Sequence, residues 1–286
     1  MFVWSKLSSS KWADAWEERF AGNPALNLVI TSVPGSKTIR VEIYAEKKKE
    51  VTVIHREWGG SVRELKNRNW AALSCEPLPV IQVRGKLVVC SARTVAQIRL
   101  AKSEHPDREI IAIPADMAFG TGHHATTATM LRMLADAAEP YKGKRWTMAD
   151  LGCGSGILAI AAMKLGAAKV WGCDFDPKAV LVSKENGVRN DTPKIRFTEI
   201  DVLEWEPKEQ WDIVAANIFS DILEAAFPQI VRAVKPGGML MASGILKSQA
   251  NVCLAVATAN GICWERIVTK GKWVSACGVR ALSQAH

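Results

Sequence analysis

Three glycines at positions 152, 154 and 156 separate an apolar run ending at Asp150-Leu151 from a second apolar run opening at Ile157. Glycine turns a chain sharply and lets a ligand come close to the backbone. The amides at the start of the following helix are free donors. The dinucleotide fingerprint G-x-G-x-x-G uses the same device with its third glycine one residue later. No Lys-Ser/Thr pair follows, which excludes the phosphate-binding G-x-x-x-x-G-K-[ST] loop. The next strand-like run ends in Gly172-Cys173-Asp174. An acid at that place can accept both ribose hydroxyls of a nucleoside. The pattern therefore points to adenosine carrying either a pyrophosphate or a methionine tail, and leaves a nicotinamide oxidoreductase open. The plain structural alternative is a tight turn beside a solvated Asp.

From Trp146 onward strands and helices alternate. Strands are expected at 146–151, 169–174, 195–200, 212–217 and 239–244, and helices at 157–165, 177–190, 220–234 and 247–259. Lys235-Pro236-Gly237-Gly238 reads as the stop after the third of these helices. Such alternation means a parallel sheet covered on both faces. Two final strands, at 263–269 and 273–282, lack a helix between them and predict an antiparallel edge. The N-terminal third reads differently. Strands at 2–7, 26–33, 38–44 and 61–65, with helices at 11–20 (capped by Ser10) and 46–58, give the order of a ferredoxin-like split βαβ module. The expected organisation is an α+β recognition domain over 1–66, a connector over 67–108 and an α/β domain over 109–286. Short strand candidates at 80–83, 86–90 and 109–113 punctuate the middle stretch.

The charge of +8 is uneven, with 16 Lys+Arg against 9 Asp+Glu in residues 1–100. A basic module can attract an acidic protein surface or nucleic acid, or only aid solubility. The seven cysteines are odd in number and show no C-x-x-C spacing, so neither disulfides nor zinc are expected. No run approaches the roughly 20 apolar residues of a membrane span. The N-terminus lacks a secretory pattern. The expectation is a soluble, cytoplasmic protein with no membrane partner and no stable nucleic-acid partner.

Two further segments narrow the reading: Ala118 to Thr127, with Phe119-Gly120-Thr121-Gly122-His123-His124, and Ala216-Asn217-Ile218. Together with Asp150 to Leu158, the Gly172 to Pro177 strand end and Ser243-Gly244-Ile245-Leu246, they resemble the PrmA family, which methylates large-subunit ribosomal protein L-eleven. The resemblance is strong over residues 109–282 and weaker over 1–100. It implies a Rossmann-like class I methyltransferase sheet, S-adenosylmethionine as cofactor, and amines of a ribosomal protein as acceptors. It implies cofactor contacts from Thr127, Gly152, Gly154, Asp174 and Asn217. Phe119 and Thr121 would wall the pocket near the methyl group, and Asn217 would also orient the incoming amine. Asp201, after the third strand, is placed to approach the adenine or simply to be solvated. His123-His124-Ala125 departs from the family's Thr-His-Pro. With no further ligands nearby, the adjacent histidines suggest loop packing or a hydrogen bond rather than a metal. The remaining alternatives are a methyltransferase for another protein or a small molecule, and a nucleic-acid-binding module with a degenerate cofactor fold.

Overall fold

A computed structural model describes residues 2–20, 26–32, 36–64, 79–114 and 122–282. The chain divides into two compact units, Met1–Cys75 and Glu76–His286.

The first unit carries β1 (Phe2–Ser9), α1 (Ala13–Phe20), β2 (Leu26–Ser32), β3 (Thr38–Ala45), α2 (Lys48–Trp58) and β4 (Ser61–Glu64). Its antiparallel sheet has the order β2-β3-β1-β4. Alternation along β3 buries Ile39, Val41, Ile43 and Ala45, and these pack with Trp4, Trp16, Val51 and Ile54. The N-cap of the first helical turn is Ser9, not Ser10, and the Ser9 side chain makes no capping hydrogen bond. A 3-10 turn over Ser10–Trp12 precedes α1, so the first helix begins later than the apolar spacing suggests.

The second unit contains two sheets. The smaller consists of β5 (Ile81–Val83), β6 (Leu87–Cys90) and β7 (Glu109–Ala112), with α3 (Val95–Glu104) before β7. Strands β5 and β6, from the stretch expected as connector, thus pair with β7 in a sheet of the second unit. Helix α3 is signed by Thr94 and Gln97, which form a reciprocal capping box. The larger sheet follows α4 (Ala125–Ala137) and comprises β8 (Thr147–Leu151), β9 (Lys169–Asp174), β10 (Arg196–Glu199), β11 (Trp211–Asn217), β12 (Val234–Leu246), β13 (Ile262–Lys270) and β14 (Trp273–Arg280). Its order is β10-β9-β8-β11-β12-β14-β13. Strands β8 to β12 pair in parallel, while β14 runs antiparallel to both β12 and β13. Helices α5 (Ile157–Lys164), α6 (Pro177–Arg189), α7 (Ser220–Ala233) and α8 (Ala250–Ala259) supply four of the connections; β10–β11 and β13–β14 are joined without a helix.

Two cores flank the sheet. One gathers α4, α5 and the small sheet through Val89, Ile111, Leu131, Leu134 and Ile160; the other gathers α7 and α8 through Phe227, Ile230, Leu254 and Ile262. Residues Ile157 to Ala162 of α5 are all buried, which explains a helix apolar on every side. Helix α7 ends at Ala233, just before the Lys-Pro-Gly-Gly segment, which itself lies within β12. Trp211 pairs with Val234 and Ile213 with Met239, so the intervening residues are accommodated as an irregularity inside β12. The strand order reverses between β8 and β11, and open α/β sheets bind ligands at the carboxyl ends of the strands at such a point.

Candidate active site

At that reversal β8 ends in Leu151, and the chain turns through Gly152, Gly154 and Gly156 with φ of +66°, +51° and +77°. These left-handed values suit glycine and penalise other residues. At Gly152 space matters as well: a Cβ there would lie 2.2 Å from Cγ2 of Ile218. The Cβ direction of Gly152 is therefore taken by a side chain of the Asn217-Ile218 segment, while Gly152 still lines the crevice it shares with Thr127 and Asn217.

The register Leu151↔Cys173 sets Asp174 beside the loop. The Gly154 N–H donates to Oδ2 of Asp174 at 2.8 Å, and the Asp176 N–H donates to Oδ1 at 3.1 Å. Each carboxylate oxygen keeps a further lone pair for another donor. The backbone carbonyl of Asp174 accepts from Ile200 N at 3.0 Å. Asp174 thus joins two depressions. A crevice of about 20 Å³ is lined by Thr127, Asp150, Gly152, Cys153, Gly154, Ile157, Leu158 and Asn217. An open hollow of about 750 Å³ is lined by Phe175, Ile200, Asp201 and Trp205 among others.

Five of the expected residues, Thr127, Gly152, Gly154, Asp174 and Asn217, are therefore brought together. Asp201 faces the neighbouring hollow, exposed, with its Oδ1 accepting from Leu203 N at 2.9 Å. Phe119 and Thr121 lie outside the described residues. Asn217, at the end of β11, donates from Nδ2 to Oγ1 of Thr127 at 3.4 Å. Its Oδ1 is buried and has no hydrogen-bond partner among the described residues. A buried acceptor without a donor carries the full desolvation cost of the group. Such exceptions mark places where a ligand or water completes the pairing.

Asp150 is the residue of the crevice that the sequence underplayed. Burial pushes its carboxyl up to about 7, a bond from the Ala159 N–H opposes that, and Asp174 adds to the rise. Its signal was a lone acid within an otherwise apolar strand, Thr147 to Leu151. Burial raises the thiol of Cys173 to about 12 and raises that of Cys153 too, so both are neutral and unreactive. Ile218 and Phe175 are the other residues missed. Ile218 stood within the quoted Ala-Asn-Ile segment, and Phe175, 74% exposed, directly follows Asp174. Among the described residues no group of three or more His, Cys, Asp or Glu side chains is arranged to hold a metal ion.

The model of the PrmA family, ribosomal protein L11 methyltransferase, matches residues 5–281. The chain belongs to the PrmA family. A ribosomal protein L11 methyltransferase of Vibrio cholerae serotype O1 is 37% identical over 224 residues, 76% of this chain and 69% of the relative. One from Actinobacillus pleuropneumoniae serotype 7 is 32% identical over 268 residues, covering 92% of this chain and 84% of the relative. The crystal structure of a ribosomal protein L11 methylase from Lactobacillus delbrueckii subsp. bulgaricus superposes with a TM-score of 0.60 at 27% identity, covering 71% of this chain and 98% of the other. This PrmA member is an S-adenosylmethionine-dependent protein methyltransferase. Its seven-stranded sheet is the class I methyltransferase sheet.

Proposed function

We propose that this enzyme methylates amines of ribosomal protein L11, at the N-terminal α-amine, at lysine ε-amines, or at both. The observation that carries the reading is the unpartnered, buried Oδ1 of Asn217 at the crevice. An acceptor in that position suits an N–H donor, and an incoming amine brings one. Family membership along 5–281 and the names of the relatives support the ribosomal acceptor.

The residues fit the cofactor. Asp174 has spare acceptor capacity beside the glycine loop, and the hollow next to it has room for a nucleoside. Thr127, Gly152, Gly154, Asp174 and Asn217 would hold S-adenosylmethionine, with Asp201 toward its adenine. When bound, S-adenosylmethionine supplies an electrophilic methyl group on a sulfonium. Phe119 and Thr121 are assigned, by family resemblance, to the wall around the reacting atoms. Asn217 accepts one amine N–H and so aims the nitrogen lone pair. Ile157, Leu158 and Ile218 keep water away. The nucleophile has to be neutral; an α-amine with a pKa near ~8 loses its proton more readily than a lysine near ~10.4. Removal from water lowers either value. Positioning of this kind can contribute on the order of 7–11 kcal/mol in favourable systems.

The N-terminal unit, whose element order is that of a ferredoxin-like split βαβ module, is assigned to substrate recognition. The test is transfer of labelled methyl groups to purified ribosomal protein L11, with modified residues located by mass spectrometry. Asn217→Ala is run in parallel. The reading expects methylated amines with the wild-type enzyme and a sharp loss with the variant. Labelling of some other protein, or none of L11, overturns the assigned acceptor.

A further inference from the structure

We infer that His124 is a positioning residue: by capping α4 it sets the place of Thr127, and through Thr127 the orientation of the Asn217 amide. The inference rests on the role given to Asn217 above. His124 is the N-cap of α4, with extended backbone at φ −64° and ψ 141°. Its Nδ1 accepts from Thr126 N at 3.4 Å and pairs with the Thr126 hydroxyl at 2.7 Å. Ser, Thr, Asp and Asn are the usual residues for this task, because a short side-chain oxygen reaches the free amides of the first turn. Histidine does something here that those cannot. Its ring meets Trp273 edge-on, with centroids 5.2 Å apart and planes at 71°. Trp273 opens β14 and pairs with Leu246 at the end of β12.

The first turn of α4 is thereby fixed at both its backbone and its side. Thr126 and Thr127 are each 1% exposed, so the turn has little room to shift independently. The Thr127 hydroxyl accepts from Nδ2 of Asn217, which leaves Oδ1 as the open acceptor. Asn217 is held from the other side by its pairing with Ser243, whose hydroxyl meets that of Ser275 at 2.6 Å. Ser275 lies two residues beyond Trp273 on β14. The path from His124 through Thr126 and Thr127 to Asn217, across the strand pairing to Ser243, then to Ser275 and along β14 to Trp273 therefore closes back on His124. Within that circuit His124 is the one member that both caps the helix and contacts β14. A shift of α4 releases the Asn217 amide to turn and removes the acceptor from its place.

The test is steady-state methylation of the ribosomal protein at varied S-adenosylmethionine. His124→Ala is expected to lower kcat about 10-fold or more, as misplacement of a positioning group does. The KM for S-adenosylmethionine should rise by less than kcat falls, because Asp174 and the glycine loop, which His124 does not touch, keep their hold on the cofactor. His124→Asn restores an N-cap acceptor and should recover most of kcat. His124→Phe keeps an aromatic ring beside Trp273 without an acceptor, and should stay low. In a Thr127→Val background His124→Ala should have little further effect, since both changes act through one hydroxyl. Wild-type kcat in His124→Ala, independent effects of His124→Ala and Thr127→Val, or a His124→Asn variant as slow as His124→Ala would each overturn the inference. Asn217→Ala at wild-type rate instead overturns the underlying reading; an impaired Asn217→Ala beside an active His124→Ala overturns this one alone.

Discussion

At the scale of single residues, Gly152 and Asp150 show how the same loop serves packing and chemistry. Gly152→Ala places a methyl where Ile218 already stands and adds a side chain at φ +66°. Overpacking of this kind costs about 1–3 kcal/mol, and the backbone adds to it. Ile218→Ala should recover the steric part and leave the backbone part, which a double-mutant cycle by chemical denaturation measures. Strict additivity would show that Ile218 is not what demands glycine. Asp150 makes a pH prediction. Its folded pKa of about 7 lies above the ordinary 3.8. Between those values the folded state binds the proton and the unfolded state does not. Stability due to this group is thus complete below the lower value and is lost as pH rises through about 7. Asp150→Asn stays neutral and can still accept from Ala159 N–H. Its stability relative to wild type should therefore be greater at pH 8 than at pH 5, read from urea midpoints. A difference that stays constant over that range would refute the assignment. The glycine loop and Asp174 were legible in sequence because their spacing is local. That Ile218 covers Gly152 was not, because the contact joins residues 66 positions apart.

Among elements, the small β5-β6-β7 sheet poses the sharper question, since nothing periodic in residues 79–112 announced how it docks. Asn190, just past α6, answers it. Its Oδ1 accepts from Ala112 N at 2.7 Å and its Nδ2 donates to Ala112 O at 2.9 Å, so one side-chain amide acts as the missing strand neighbour of β7. Both partners are buried, Asn190 being 4% exposed. Asn190→Ala strands a buried N–H and a buried C=O, at about 1–3 kcal/mol per group. The Asp136 clasp is a natural control. It accepts from Arg84 at 2.8 and 2.9 Å and from Arg266 at 2.9 Å, joining the β5–β6 turn, α4 and β13. Its side chains are roughly two-fifths exposed. Exposed pairs are worth about 0–1 kcal/mol and weaken with salt. Denaturation should therefore rank Asn190→Ala well above Asp136→Ala, with only the latter shrinking in 1 M salt. The reverse order would mean that the clasp, not the amide, secures the small sheet. Strands and helices from Thr147 on were readable because each is a run with its own period. Helix α4 was less legible because nine of its 13 residues are buried, Met130, Leu131, Met133 and Leu134 among them, so no narrow apolar stripe marks it.

For the whole molecule, the division at Cys75 changes where the charge argument applies. Residues 1–75 hold 12 Lys+Arg and 8 Asp+Glu, an excess of four within the chain's +8, so the rest of the surplus belongs to the second unit. Basicity alone does not single out the N-terminal unit as the recognition element; its separate core around Trp4, Trp16 and Ile43 is the stronger reason to treat it as a module. Removal of residues 1–75 leaves both sheets of the second unit, Asn190 with Ala112, and the crevice at Asn217 intact. A cut at residue 95 would instead delete β5 and β6, and with them Val83, Leu87 and Val89 from the core that packs on α4. The 76–286 protein is therefore expected to fold and to bind S-adenosylmethionine with near wild-type affinity by calorimetry, while methylation of the ribosomal protein falls by at least about 100-fold, the order lost when binding energy remote from the reacting atoms is removed. The 96–286 protein should lose cooperative unfolding and cofactor binding together. Full methylation by the shorter 76–286 chain would move substrate recognition onto the catalytic unit itself, and an intact, binding-competent 96–286 chain would show that β5 and β6 are not part of that unit's core.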